Sequence, residues 1–152
     1  MIDIQSVDHI GIRVADLDRS LNFYGLFGFD AEHRAENDAV VVIKNRHGVE
    51  INLVYNANND SAGRNILMDV TEKYPGYTHI AFRVDSIAAA MTVLREQGIA
   101  ITQGPVSFGR DGHVSVFLRD PDRNVIELRG REEDLSGLGG VEVYEPKNSR
   151  AL

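Results

Sequence analysis

The sequence contains no cysteine, which removes disulfides, thiolate zinc sites and cysteine nucleophiles together. A metal ion held by such a chain is held by nitrogen and oxygen. Long apolar runs are also missing. The longest, residues 39–43, falls far short of the roughly 20 apolar residues needed to cross a bilayer. The segment Met1-Ile2-Asp3-Ile4-Gln5 carries neither a basic region nor an apolar core, so no signal peptide is expected and a cytoplasmic location is the default reading. Basic stripes are absent too. Sixteen Lys plus Arg face 23 Asp plus Glu, a formal net charge of -7. Neither nucleic acid nor a membrane surface is expected as a partner.

What is present is an ordinary globular composition over 152 residues, enough for one domain or for two small modules sharing a core. One stretch is written twice. His9-Ile10-Gly11-Ile12-Arg13-Val14 returns as His79-Ile80-Ala81-Phe82-Arg83-Val84. Each copy opens on histidine, alternates like a half-buried strand and leads into a helical pattern.

Around these copies the chain divides into two similar units. In the first, a strand over 6–14 precedes a helix capped by Asp16 and closed by Gly28, with Leu17, Leu21, Tyr24 and Phe27 at helical spacing. A weak strand at 30–34 and stronger ones at 39–44 and 49–55 follow, the last two joined by the turn Asn45-Arg46-His47-Gly48. The second unit repeats the plan. It has a strand at 78–84, a helix from Asp85 or Ser86 to about Gln97 and strands at 99–103, 113–119 and 125–129, with turns at 108–112 and 120–124. This βαβββ plan, twice over, predicts an α+β fold. Its two modules, 6–56 and 77–130, pair into one cupped, mostly antiparallel eight-stranded sheet with both helices on the outer face. The whole reads as a single domain over 1–130. Residues 56–76 form a polar insertion suited to a lid, with a short helical or extended cover at 66–74. The tail, 131–152, has little periodicity and is expected to be partly ordered or to pack on a partner chain.

Strand alternation sorts the polar residues by face. His9, Gly11 and Arg13 share one face, as do His79, Ala81 and Arg83, and Val125, Glu127 and Arg129. Glu50, Asn52 and Val54 share another. Ile51-Asn52-Leu53 corresponds to Ile126-Glu127-Leu128, so one unit offers His9 and Asn52 where the other offers His79 and Glu127. Inward imidazoles and a carboxylate among apolar strand residues are costly without partners. One divalent ion satisfies His9, His79 and Glu127 together. His33 and His47 lie in polar, loop-like surroundings and read as ordinary surface residues. His113, at a strand start, reads as a rim residue.

The motifs Asp8-His9-Ile10, Phe27-Gly28-Phe29, Thr78-His79-Ile80-Ala81-Phe82-Arg83-Val84 and Asp120-Pro121-Asp122-Arg123-Asn124-Val125-Ile126-Glu127-Leu128 resemble the vicinal oxygen chelate superfamily over about residues 6–130. That superfamily comprises glyoxalase I, methylmalonyl-CoA epimerase, fosfomycin-resistance transferases, extradiol dioxygenases and bleomycin-resistance proteins. The resemblance implies the glyoxalase/bleomycin resistance/dihydroxybiphenyl dioxygenase fold. It also implies one divalent metal ion (Zn2+, Ni2+, Fe2+ or Mn2+) held by His9, the strand of Glu50 and Asn52, His79 and Glu127. Glyoxalase I carries a carboxylate at the position of Asn52, which gives a carbonyl oxygen and cannot act as a base. Either Glu50 substitutes, or the site has three strong ligands and more open positions.

The function implied is a metal-dependent lyase or isomerase of glyoxalase type, acting on a small substrate chelated through vicinal oxygens. Glu127 is then the proton-transferring carboxylate and Glu50 a second candidate base. An extradiol-type Fe(II) dioxygenase, or a drug-binding resistance protein without catalysis, is the alternative. Arg13, Arg83, Tyr55 and His113 are candidate substrate contacts. The resemblance further implies a homodimer.

Overall fold

The alternating segments form two mixed sheets, of four and five strands, where the sequence reading predicted one sheet of eight. The computed structural model describes residues 1–108, 112–131, 138 and 140–144. It divides into two units, Met1–Gly63 and Arg64–Leu152, so the boundary falls inside the polar insertion.

In the first unit β1 (Ile10–Arg13) leads to α1 (Leu17–Gly25), then β2 (Phe29–Ala35), a 3-10 turn at Glu36–Asp38, β3 (Val40–Asn45) and β4 (Glu50–Val54). The sheet order is β1-β4-β3-β2, with β1 parallel to β4 and the other pairs antiparallel. Asp16 caps α1 by accepting from the Arg19 amide at 2.9 Å. Gly28 takes the left-handed φ of 77° that turns the chain into β2. Ile12, Val14, Val41, Ile43, Ile51 and Leu53 are buried on one face of the sheet. Each such side chain contributes about 1.5–3 kcal/mol on burial. The opposite face carries Gly11, Arg13, Val42, Asn52 and Val54.

The second unit contains β5 (Ile80–Arg83), α2 (Ile87–Glu96), β6 (Ile101–Ser107), β7 (His113–Arg119), β8 (Val125–Arg131) and β9 (Glu142–Val143), ordered β5-β8-β7-β6-β9. Ser86 caps α2 through the Ala89 amide at 3.2 Å. The helix buries Ile87 and Leu94 against the face formed by Val114, Val116, Leu118, Ile126 and Leu128. Gly130 lets the start of α2 approach β8, because a Cβ there would stand 2.7 Å from Ile87 Cγ1.

The duplication extends to strand register. Ile10 pairs with Ile51 and Gly11 with Asn52; Ile80 pairs with Ile126 and Ala81 with Glu127. Other expectations need correction. Pairing in β1 and β5 starts one residue after the histidines, so His9 and His79 precede their strands. His33, read as lying in loop-like surroundings, is on β2 opposite Val42 and is exposed, as a surface residue should be. Residues 66–74 form turns and bends without a helix or strand. Part of the tail returns to its own chain. Leu138 is buried, β9 pairs parallel with β6, and Tyr144 packs on Phe108 at 5.0 Å between ring centroids. The centre of the turn expected at 108–112, and most of the tail, lie outside the described residues.

Candidate functional site

Glu127 is the chemically exceptional residue of the second unit. It sits mid-strand on β8, between Ile126 and Leu128, and is 5% exposed. A carboxylate so placed needs partners on both oxygens. Oε1 accepts a hydrogen bond of 2.5 Å from the Ser115 hydroxyl, and Oε2 stands 3.1 Å from His79 Nε2. Arg129 Nη1 adds positive charge 3.6 Å from Oε1.

The register explains this gathering. Phe117 on β7 is opposite Glu127, Ser115 is opposite Arg129, and Ala81 on β5 flanks Glu127 from the other side. All therefore share the face away from α2. His79, just before β5, reaches the same face. Its Nδ1 lies 2.9 Å from Thr78 Oγ1, and its ring packs in a T-shape with Phe117 at 5.7 Å and 86°. Two fixed neighbours thus set the imidazole orientation.

Of the sequence-derived ligands, the structure brings His79 and Glu127 together. Imidazole nitrogen and carboxylate oxygen form a donor pair that zinc, nickel, iron(II) and manganese accept. Among the described residues no three of His, Asp and Glu converge to hold an ion.

In the first unit His9 Nδ1 meets Asp8 Oδ1 at 2.8 Å. Asn52 Oδ1 is buried with no hydrogen-bond partner among the described residues. That is a costly state for an amide oxygen, and one that a cation relieves. Glu50 is committed elsewhere. Its carboxylate lies 3.3 Å from Lys44 Nζ, with Glu32 at 3.8 Å from the same ammonium. This hydrogen bond to Glu50, with the charge of Glu32, raises the Lys44 pKa above its ordinary value. Arg13 and Arg83 are exposed at their strand ends, Tyr55 is half-buried, and His113 is half-buried opposite Arg131.

Sequence reasoning missed two features. Ser115 is fully buried and oriented by its β7 position. A hydroxyl between Val114 and Val116, on the face of Glu127, was the available signal. The second feature is a polar knot tying the insertion to the β7–β8 turn. Asp69 accepts two hydrogen bonds from Arg123, through Nε and, at 3.0 Å, through Nη2. Asn65 Nδ2 donates to Asn124 Oδ1 at 3.0 Å. Arg119 Nη2 lies 3.6 Å from Asp69 Oδ1. The Arg123 hydrogen bond holds the Asp69 carboxyl below its usual range, against the opposing effect of burial. Beside the knot is a cavity of about 260 Å³, walled by Met68, Gln103, Phe117, Arg119, Arg123 and Val125. Phe117 is its common wall with His79.

Residues 6–128 match the family described as Glyoxalase/Bleomycin resistance protein/Dioxygenase superfamily. A lactoylglutathione lyase of Haemophilus influenzae is 33% identical, over 86% of this chain and 96% of its own. A glyoxalase domain-containing protein, RDO1, of Mycosarcoma maydis is 29% identical, over 87% of this chain and 72% of its own. Among solved structures, a glyoxalase/dioxygenase from Nostoc punctiforme superimposes with a TM-score of 0.66 at 25% identity, covering 84% of this chain and 91% of that one.

Proposed function

The chain belongs to the Glyoxalase/Bleomycin resistance protein/Dioxygenase superfamily, and from that premise we propose that it is a glyoxalase-type lyase or isomerase. The substrate in this reading is a small molecule held through two neighbouring oxygens at one divalent ion (Zn2+, Ni2+, Fe2+ or Mn2+). The observation that carries the reading is the buried Glu127, with Ser115 on one oxygen and His79 on the other. His79 and Glu127 would hold the ion from the second unit. His9 and Asn52 are proposed from the matching positions of the first. The ion, when bound, supplies Lewis-acid stabilisation to oxygens that gain charge during the reaction.

The rest is done by side chains. Ser115 fixes Oε1 of Glu127, and Oε2, beside His79 Nε2, would take a proton from the carbon beside a carbonyl and return it to the neighbouring carbon. Phe117 shields the His79–Glu127 pair on its apolar side and limits competing water. Glu50, neutralised by Lys44, is not needed as a base. Arg83, Arg13, Tyr55 and His113 remain the proposed contacts for the outlying parts of the substrate. The working unit is taken to be a cytoplasmic homodimer.

The test begins with metal analysis of the purified protein. Turnover of the hemithioacetal of methylglyoxal and glutathione is then measured under nickel and zinc, beside oxygen uptake with catechols under iron(II). Hemithioacetal turnover that falls at least about 100-fold in Glu127→Gln supports the reading. Catechol cleavage alone replaces it with a dioxygenase. A protein that binds no stoichiometric metal and ignores chelators is a binder.

A further inference from the structure

The cavity beside the polar knot contains more cationic hydrogen-bonding capacity than the chain itself uses. Arg119 sits at the end of β7 with its side chain 22% exposed. Among the described residues its guanidinium makes one hydrogen bond, from Nη1 to the Arg123 carbonyl at 2.7 Å. Its approach to Asp69, 3.6 Å, is an ion pair too long for a hydrogen bond. A guanidinium carries five N–H donors, so most of those on Arg119 are unspent in a place largely removed from water. Burial, with the charge of Arg123 alongside, lowers its pKa despite Asp69 and Asp120 nearby. Asp120 is occupied otherwise, accepting from the Asp122 amide, the Asn124 amide and the Asn124 side chain.

Two further observations point to the same cavity. Gln103, on its wall, has a buried Oε1 with no hydrogen-bond partner among the described residues. Arg123 holds a left-handed backbone, φ 64°, a conformation that costs a non-glycine residue about 1–2 kcal/mol. Glycine fits that turn position without strain, so the side chain is what the position gains, and that side chain grips the carboxylate of Asp69.

We propose that this cavity is a binding site for a small organic carboxylate, which takes the free edge of Arg119 beside the place where Asp69 already occupies Arg123. Asp69 shows that the local geometry accepts a carboxylate between the two arginines. Phe117, Met68 and Val125 provide an apolar wall for the body of the ligand, and Gln103 accepts from a hydroxyl or amide group on it. At about 30 Å³ for each water-sized group, the volume holds on the order of ten non-hydrogen atoms. Because Phe117 also borders His79, a molecule anchored at Arg119 lies within the same unit as Glu127. The inference deepens the lyase reading by naming the anionic end of its substrate, and rests on that reading only for the identity of the reacting end.

The test is calorimetric titration of the full chain, after chelation, with phenylacetate, its neutral match phenylacetamide, and inorganic phosphate. Phenylacetate is expected to bind at least tenfold more tightly than the amide. Arg119→Gln is expected to remove that preference, while Asp69→Asn strengthens carboxylate binding several-fold by withdrawing the internal competitor. Phosphate binding without phenylacetate binding would reassign the site to inorganic anions and overturn the carboxylate claim. Equal binding of acid and amide, or an unchanged preference in Arg119→Gln, overturns it as well. Circular dichroism checks that each variant is folded, and Arg119→Lys, which keeps charge without the planar fork, is expected to retain part of the preference. Carboxylate preference in the chelated protein, with no hemithioacetal turnover once nickel or zinc is restored, leaves this inference standing and removes the lyase reading. Turnover without carboxylate preference does the reverse.

Discussion

Replacing Asp69 by asparagine keeps the size of the side chain and removes its charge. In the native protein the carboxylate is 11% exposed, accepts twice from Arg123, and also accepts from the Asn65 amide at 2.8 Å. A hydrogen bond to a charged group contributes about 1.5–3 kcal/mol when shielded, and an exposed ion pair only about 0.2–1 kcal/mol. Arg123 is 47% exposed, so the pair lies between these limits, and asparagine retains an acceptor for Asn65. The expected loss at neutral pH is about 1.5 kcal/mol, which for a chain of this length lowers Tm by about 3–6 °C.

The pH dependence provides the sharper check. The Asp69 pKa is lowered by its Arg123 hydrogen bond, so its contribution is complete above the unfolded carboxylate value of about 3.9. It is lost as pH falls through the lower native value. Thermal melts of both proteins at pH 7, 5 and 3 should show the same gap at the first two and a smaller one at the third. No gap at pH 7, or one that already closes between pH 7 and 5, refutes the argument.

Ser115→Ala removes the hydroxyl donated to Glu127 Oε1 and is expected to cost about 1–3 kcal/mol in urea unfolding. A stability within 0.5 kcal/mol of wild type, on the scale of an ordinary surface change, would show that Glu127 finds another donor. Glu127→Gln and Glu50→Gln separate the two candidate bases. The first is expected to lower hemithioacetal turnover by about 100-fold or more and the second by less than about tenfold, so the reverse order transfers the role to Glu50. Gly104→Ala places a Cβ 2.5 Å from the Ser115 carbonyl oxygen at a backbone φ of 99°. A loss of at least about 2 kcal/mol is expected, and a melting curve that superimposes on wild type contradicts the close approach of β6 to β7.

Much of this was legible in the chain because duplication and alternation are local signals. His79-Ile80-Ala81 repeats His9-Ile10-Gly11, and period-two burial then dictates that Glu127 and His79 take the same face. Helix caps were equally readable, since Asp16 and Ser86 act through amides three residues away. Alternation does not reveal which strand edges remain open, and the expected single sheet failed there. β1 and β5 are each an edge of a separate hydrogen-bonded set. The Asp69–Arg123 pair joins residues 54 apart in sequence, a separation at which no local pattern speaks. β9 has only two residues, too few for any periodicity to show. Glu50 drew attention by its face, but the side chain that claims it, Lys44, is its cross-strand partner, a pairing that the strand order had to supply.

The parallel pairing of β9 with β6 carries a consequence for solubility. Backbone N–H and C=O groups along an open outer strand recruit the strands of other molecules. Here Val106 and Ser107 are matched by Glu142 and Val143, so a later segment of the same chain acts as a sacrificial neighbour, and both of its residues are exposed. Trimming the polypeptide before residue 138 would strip that guard from β6 and favour self-association at high concentration.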